Sequence, residues 1–239
     1  MQPSYAELHC ISNFSFLRGA SHPEELVERA LALDYTGLAI TDECSFAGAA
    51  RAHLALRTLS GLRPERQEKE NEGAGLAPSC SPIQCKDGDG QFRLIHGTEI
   101  RLADGPHLVL LAQTRAGYGN LSELVTLARR AAPKGEYRLC AADLAAQAHL
   151  LQDSLALLVP SFAPAGVSEG KPGQMPRRQR QSGADLREIE RDASWLHRLL
   201  PDRSWIACEL IRGPDDAAWL DKLQQASLHT GVPLAASRA

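Results

Sequence analysis

Two kinds of pattern alternate along this chain: short apolar runs that end in charged or metal-ligating side chains, and longer stretches whose apolar residues recur every three to four positions. Tyr5-Ala6-Glu7-Leu8 leads to His9, the run beginning Gly37-Leu38-Ala39-Ile40-Thr41 leads to Asp42-Glu43, and Phe92 to Thr98 leads to Glu99. Runs of this kind read as buried parallel strands, and barrel enzymes assemble their sites at the C-terminal ends of such strands. Between the first two runs, Ser21-His22-Pro23-Glu24 has the form of a capping box. Leu26, Val27, Ala30, Leu31 and Leu33 then follow at helical spacing, which predicts a helix over 22–33. A strand is expected at 36–41 and a second helix at 45–58.

The alternation continues after a break. A strand at 92–102 and a very apolar one from His107 to Ala112 flank Asp104-Gly105, a hairpin signal. A helix over 117–131 carries Leu121, Leu124, Val125 and Ala128 on one face and ends in Arg129 and Arg130, which suit the negative end of its dipole. A short helix near 141–149, a strand at 154–160, a helix at 185–200, a strand at 204–210, a helix at 214–230 and a last apolar run over 232–236 complete the series. Such alternation predicts an α/β fold built on a parallel sheet, open or closed as a barrel. Residues 59–90 carry no period and read as an irregular insertion or loop, and 161–184 as a second irregular loop rich in Pro, Gly and Arg. The remainder reads as a single domain over 1–239.

Composition narrows the function classes. The chain has 239 residues, 44% of them hydrophobic, which is enough to bury a substantial core. A net charge of −3 argues against chain-wide attraction to DNA or to a membrane surface. No apolar stretch approaches the roughly 18 residues of a membrane span, and Met1-Gln2-Pro3-Ser4 lacks the pattern of a signal peptide, so a cytoplasmic location is expected. Six cysteines are scattered, Cys80 and Cys85 being too far apart for the usual metal or redox pair, and they read as reduced thiols. No glycine-rich phosphate loop and no serine-hydrolase elbow occur.

Each candidate ligand has two readings. His9 is either a strand-end metal ligand or a histidine satisfied by backbone groups in the core. Asp42-Glu43 supplies a ligand and its supporting carboxylate, or caps the helix expected near Ser45. Glu99 in a buried strand implies coordination or a salt bridge. His107 heads an apolar strand, where an exposed histidine is ordinary. His, Asp and Glu together are the donors of a hydrolytic metal centre. Arg177-Arg178-Gln179-Arg180 could touch phosphates or form a solvated loop.

Taken together, the block Glu7 to Pro23, Leu38 to Ser45, Gly97-Thr98-Glu99, His107 to Ala112 with Gly117 to Leu121, Trp205 to Glu209, Gly213 to Asp216 and Gly231 to Leu234 resemble the PHP (polymerase and histidinol phosphatase) domain. They are most similar to the PHP domain that begins the error-prone C-family bacterial DNA polymerases. That resemblance implies a distorted (β/α)7 barrel of the TIM type, here incomplete at the C-terminus, with metals held at the strand ends. Residue by residue it matches His9, Glu99 and His107 to family ligands and puts Glu43 where the family usually has a histidine; these four are the residual metal ligands, with Asp42 in support, for at most a weakly bound zinc or manganese ion. It also exposes departures. Ile11 stands where a second histidine is expected, Arg18 where replicative relatives carry an acid, which puts a positive charge beside the would-be cation site, and Ser237-Arg238-Ala239 where a final Asp-x-His is expected. A divalent ion should therefore bind weakly, and phosphoester hydrolysis is not expected.

The resemblance implies a structural domain in a polymerase of translesion synthesis and DNA repair. Its partners would be the polymerase region and other repair or mutagenesis proteins, with DNA met only through the parent polymerase and no membrane role. The alternative is a free-standing metal-dependent phosphoesterase. The end of the chain near the strand 232–236 is expected to leave an open sheet edge, with poor solubility or association as the consequence.

Overall fold

A computed structural model describes residues 5–59, 92–161, 184–210 and 212–237. The irregular stretches expected at 59–90 and 161–184, with Cys80, Cys85 and the Arg177–Arg180 cluster, lie almost wholly outside these residues. The elements run β1 (Ala6–Cys10), α1 (Pro23–Ala32), β2 (Gly37–Ile40), α2 (Ala49–Leu59), β3 (Arg93–Arg101), β4 (His107–Ala112), α3 (Arg115–Arg130), α4 (Ala141–Ala146), β5 (Ser154–Leu158), α5 (Leu186–Leu199), β6 (Ser204–Glu209), α6 (Asp216–Thr230) and β7 (Leu234–Ser237). The seven strands form one sheet in chain order. It is an α/β fold with a nearly closed, barrel-like sheet. No ladder joins β7 to β1 among the described residues, but the two lie side by side, and Ser237 Oγ donates to Glu7 Oε1 at 3.0 Å. The expected open edge is narrowed to this seam.

Two packing layers hold the sheet. Outward side chains of β3 to β6, among them Ile100, Leu108, Leu110, Ala156, Leu158 and Ile206, pack on Leu121 and Leu124 of α3, Ile189 and Leu196 of α5, and Trp219 and Leu223 of α6. Val27 and Ala30 of α1 and Ala52 of α2 cover Leu38 and Ile40 of β2. The inward set is separate: Ala39, Val109, Leu111, Leu157 and Ala207 pack together with Ile95, Trp205 and Ala235. Period-two alternation thus places one set of odd-numbered residues inside the barrel, and Glu7, His9, Glu99, His107 and Glu209 share that parity.

The sheet departs from an all-parallel one. β4 runs antiparallel to both β3 and β5, because the turn 102–106 folds it straight back with Leu102 N–H donating to the Pro106 carbonyl at 3.1 Å. Reversal carries the first residue of β4, His107, to the end of the barrel where the parallel strands finish. Three local boundaries also differ from the sequence reading. The α1 cap is His22, whose N–H donates to Glu25 Oε2 at 2.8 Å, instead of Ser21 with Glu24. α2 begins at Ala49 because residues 43–45 are used otherwise: Glu43 bridges to Glu99, Cys44 takes φ +44°, and Ser45 N–H donates to Thr98 Oγ1 at 3.1 Å. The helix expected near 141–149 ends at Ala146 and is followed by a 3-10 turn over Ala148–Leu151.

No helix among the described residues is long and apolar enough to cross a membrane. Cys10, Cys44, Cys140 and Cys208 are free thiols. Burial raises Cys10 to about 12 and Cys44 to about 11, so both stay protonated at neutral pH and are poor nucleophiles or ligands.

Candidate functional site

At the end of the barrel where the parallel strands finish, β1, β3, β4 and β6 each deliver one polar inward side chain: His9, Glu99, His107 and Glu209. Glu99 is the centre. Its side chain is 0% exposed, and its Oε2 lies 2.8 Å from His9 Nε2 and 3.4 Å from His107 Nε2. His9 also places Nδ1 2.6 Å from Glu209 Oε1, so both of its ring nitrogens face carboxylates. The His9 and His107 rings meet edge to face with centroids 5.7 Å apart. Burial, with Arg101 and His9 nearby, presses His107 well below the ordinary histidine range. It is therefore a neutral imidazole, the form that ligates metals.

A fifth side chain enters from outside the strands. Arg18, on the loop after β1, donates through Nη1 to Glu99 Oε1 and, at 2.9 Å, to Glu43 Oε2; its Nη2 lies 3.3 Å from Glu99 Oε2. Glu43 also accepts from the Tyr137 hydroxyl at 2.9 Å. Burial works to raise the Glu43 carboxyl, but the hydrogen bonds from Arg18 and Tyr137 outweigh it and hold the group below its usual range. Burial pushes the Tyr137 phenol upward, with the neighbouring Glu43 charge adding to it. Arg129 of α3 fixes the turn beneath, donating to the Glu43 and Cys44 carbonyls at 3.1 Å each.

Asp42 faces a different task. Its carboxylate is 0% exposed and accepts from Ser12 N–H at 2.7 Å, Ser12 Oγ at 2.8 Å and Ser15 Oγ at 2.8 Å. Ser15 Oγ in turn accepts from Glu43 N–H at 3.0 Å. Asp42 thus anchors the loop that carries Arg18 and touches none of the His9, Glu99 or His107 side chains through a hydrogen bond.

His9, Glu99 and His107 form a group that could hold a metal ion, their ligand atoms all lying within 4.8 Å of one another. Donors about 2.0–2.1 Å from a tetrahedral zinc stand roughly 3.4 Å apart, so small shifts would bring these three onto one ion. His107 Nε2 supports the fit: it is buried and has no hydrogen-bond partner among the described residues. Arg18 opposes it, because its guanidinium already occupies both Glu99 oxygens. Of the four sequence candidates, the structure brings His9, Glu99 and His107 together and sets Glu43 beside them through Arg18. Arg18 was expected beside the site as a positive charge, and the structure puts it directly on Glu99; Glu209 and Tyr137 were not anticipated as site residues. Glu209 had a readable signal: it is a charged residue at the end of a strand, on the inward parity, as His9 and Glu99 are.

Comparison with known proteins agrees with this architecture. A family model described as "PHP domain" matches residues 7–208. The error-prone DNA polymerase of Azoarcus sp. (strain BH72) is 47% identical over 235 residues, which cover 97% of this chain and 19% of that protein. The error-prone DNA polymerase of Pseudomonas aeruginosa is 39% identical over 230 residues, covering 96% of this chain and 17% of that protein. The chain therefore spans about a fifth of the length of the curated relatives it matches. Among solved structures, a protein described as a metal-dependent phosphoesterase from Bifidobacterium adolescentis superposes with a TM-score of 0.52 at 14% identity, covering 98% of this chain and 86% of that one, a likeness of fold. An amidohydrolase from Chromobacterium violaceum gives the same TM-score, 0.52, and identity, 14%, with the same coverage, 98% and 86%. The chain belongs to the PHP domain family and is homologous to the N-terminal part of error-prone DNA polymerases.

Proposed function

We propose that this chain acts as the N-terminal PHP domain of a bacterial error-prone DNA polymerase and that its contribution to translesion synthesis and repair is architectural. The observation that carries this reading is the 47% identity along 97% of the chain to one end of such a polymerase, joined to a barrel mouth where Arg18 neutralises the acids that a hydrolytic metal would need. If a zinc or manganese ion binds, His9, Glu99 and His107 are its ligands, and it would supply Lewis acidity to a phosphoryl oxygen. Binding there is weak, since the ion has to displace the guanidinium. The chain's partner is the polymerase region of such a protein, together with other repair or mutagenesis proteins. DNA is reached through that polymerase, in the cytoplasm. By itself the chain incorporates no nucleotides.

The test is a graft. The Azoarcus polymerase with its matched segment deleted, with that segment intact, and with it replaced by this chain is assayed for soluble yield and primer extension. Loss on deletion with recovery on replacement is the expected result. Full activity in the deleted form would refute an architectural role. The second reading, a metal-dependent phosphoesterase, is favoured by the unpartnered His107 Nε2 and the convergence of three donors. It requires phosphate release from a simple phosphomonoester by the purified chain in manganese or zinc, abolished by Glu99→Ala.

A further inference from the structure

The geometry points to Arg18 as a built-in cation that takes the place of a divalent metal at the barrel mouth, so that its guanidinium and a metal ion exclude one another. This rests on the architectural reading above and deepens it, by assigning the loss of metal affinity to one side chain.

Glu99 is a carboxylate with no exposure to water, and a charge in that position demands a cation beside it. The guanidinium supplies that cation in forked form, Nη1 on Oε1 and Nη2 near Oε2, and extends the same Nη1 to Glu43. These are the oxygens through which Glu99 would bind an ion shared with His9 and His107. A divalent ion on that group would lie within a few ångströms of the guanidinium while competing for its acceptors, and like charges at that separation in a half-buried site repel strongly. Removal of the guanidinium would free Glu99 Oε1, leave Glu43 held by Tyr137, and leave His107 Nε2 still unpaired. The His9, Glu99 and His107 group would then be available to an ion.

The loop that bears Arg18 is shaped for this placement. Phe16 and Leu17 are 84% and 89% exposed, so burial of its apolar side chains does not hold the loop down. Its base is closed by Asn13 N–H donating to the Ser21 carbonyl at 2.9 Å, and it is tied to the barrel by Asp42 gripping Ser12 and Ser15 and by Arg18 gripping Glu43 and Glu99. Leu17 adopts φ +61°, and Gly19 passes so close to the Ser12 carbonyl that a Cβ there would lie 1.9 Å from its oxygen. The chain thereby doubles back over the barrel, and the residue between these two points, Arg18, is aimed into the mouth. Metal entry should release the Arg18 tie of this loop.

The experiment titrates Co²⁺ into the wild-type chain and into Arg18→Met, which keeps the stem and removes the charge, following the visible absorption of the bound ion, with zinc stoichiometry by elemental analysis. Circular dichroism and size exclusion confirm that each protein is folded. Arg18→Met is expected to bind about one ion at least a hundredfold more tightly than wild type, and Arg18→Met with Glu99→Gln is expected to lose the gain. Folded Arg18→Met with no gain overturns the proposal. If Arg18→Met does not fold, the wild-type arm decides: stoichiometric, tight Co²⁺ binding in the presence of the arginine overturns the proposal, and non-saturating binding supports it. Tight binding by an inactive wild type would defeat this inference alone, whereas tight binding with phosphate release would defeat the architectural reading too.

Discussion

Replacing Asp42 with alanine removes a buried acceptor on which three donors converge: Ser12 N–H at 2.7 Å, Ser12 Oγ at 2.8 Å and Ser15 Oγ at 2.8 Å. The two hydroxyls can turn toward other acceptors, but the Ser12 amide is fixed by its backbone. Hydrogen bonds to a charged group are worth about 1.5–3 kcal/mol each, and an orphaned buried amide costs about 1–3 kcal/mol. Part of the loss is offset because a buried carboxylate no longer has to be desolvated. The net expectation is about 3–5 kcal/mol of destabilisation. Asp42→Asn keeps an oxygen for the Ser12 amide and offers an NH2 group that a rotated serine hydroxyl can accept, so it should cost only about 1–2 kcal/mol. Urea unfolding followed through Trp195, Trp205 and Trp219 measures both, with an unchanged slope as the check on two-state behaviour. At roughly 2–4 °C per kcal/mol for a chain of this size, Asp42→Ala should lower Tm by about 10 °C. An Asp42→Ala protein within about 1 kcal/mol of wild type, or an Asn variant as damaged as the Ala one, would refute the view that Asp42 anchors the loop through these bonds.

Two glycines of α3 should respond in opposite directions to the same substitution. At Gly117 a Cβ would meet the Asp153 carbonyl oxygen at 2.3 Å, so Gly117→Ala should cost about 1–3 kcal/mol. At exposed Gly119 nothing lies within 4 Å, so Gly119→Ala should stabilise by about 0.5–1 kcal/mol; thermal melts of the pair that moved together would count against both. Burial, helped by His53 of α2, lowers His96, which lies on β3 against Tyr118 of α3 with Nδ1 unpaired. The unfolded chain therefore takes up a proton below about pH 6.5 that the folded chain resists, so stability contributed by neutral His96 is lost as pH falls. His96→Phe should shrink the difference in urea midpoint between neutral and mildly acidic buffer; an unaltered difference would place the proton uptake elsewhere.

How much was legible follows from the range of the interactions. Helices α1, α3, α5 and α6 and all seven strands were readable because their signals, a 3.6- or 2-residue apolar period with flanking turns and caps, are contained within a few neighbouring residues. Even the reversal at β4 was marked, by Asp104-Gly105. The α2 start was not, because residues 43–45 are held by Thr98 and Glu99 of β3, a contact across more than fifty positions. Glu209 is a mixed case: its place at the inward end of a strand is a local signal, but its pairing with His9 spans 200 residues and no neighbouring residue announces it.

The sequence alone determined which side chains point into the barrel and which stand at strand ends, since both depend on local alternation. It also carried the family, through motifs that are contiguous runs. Tertiary structure decided what those side chains do to one another. Closure of the sheet brought β1, β3, β4 and β6 to a common mouth, and the loop after β1 brought Arg18 over it. Electrostatic partnership depends on distances of a few ångströms between residues far apart in the chain, so whether Glu99 meets a metal or a guanidinium is settled only in three dimensions.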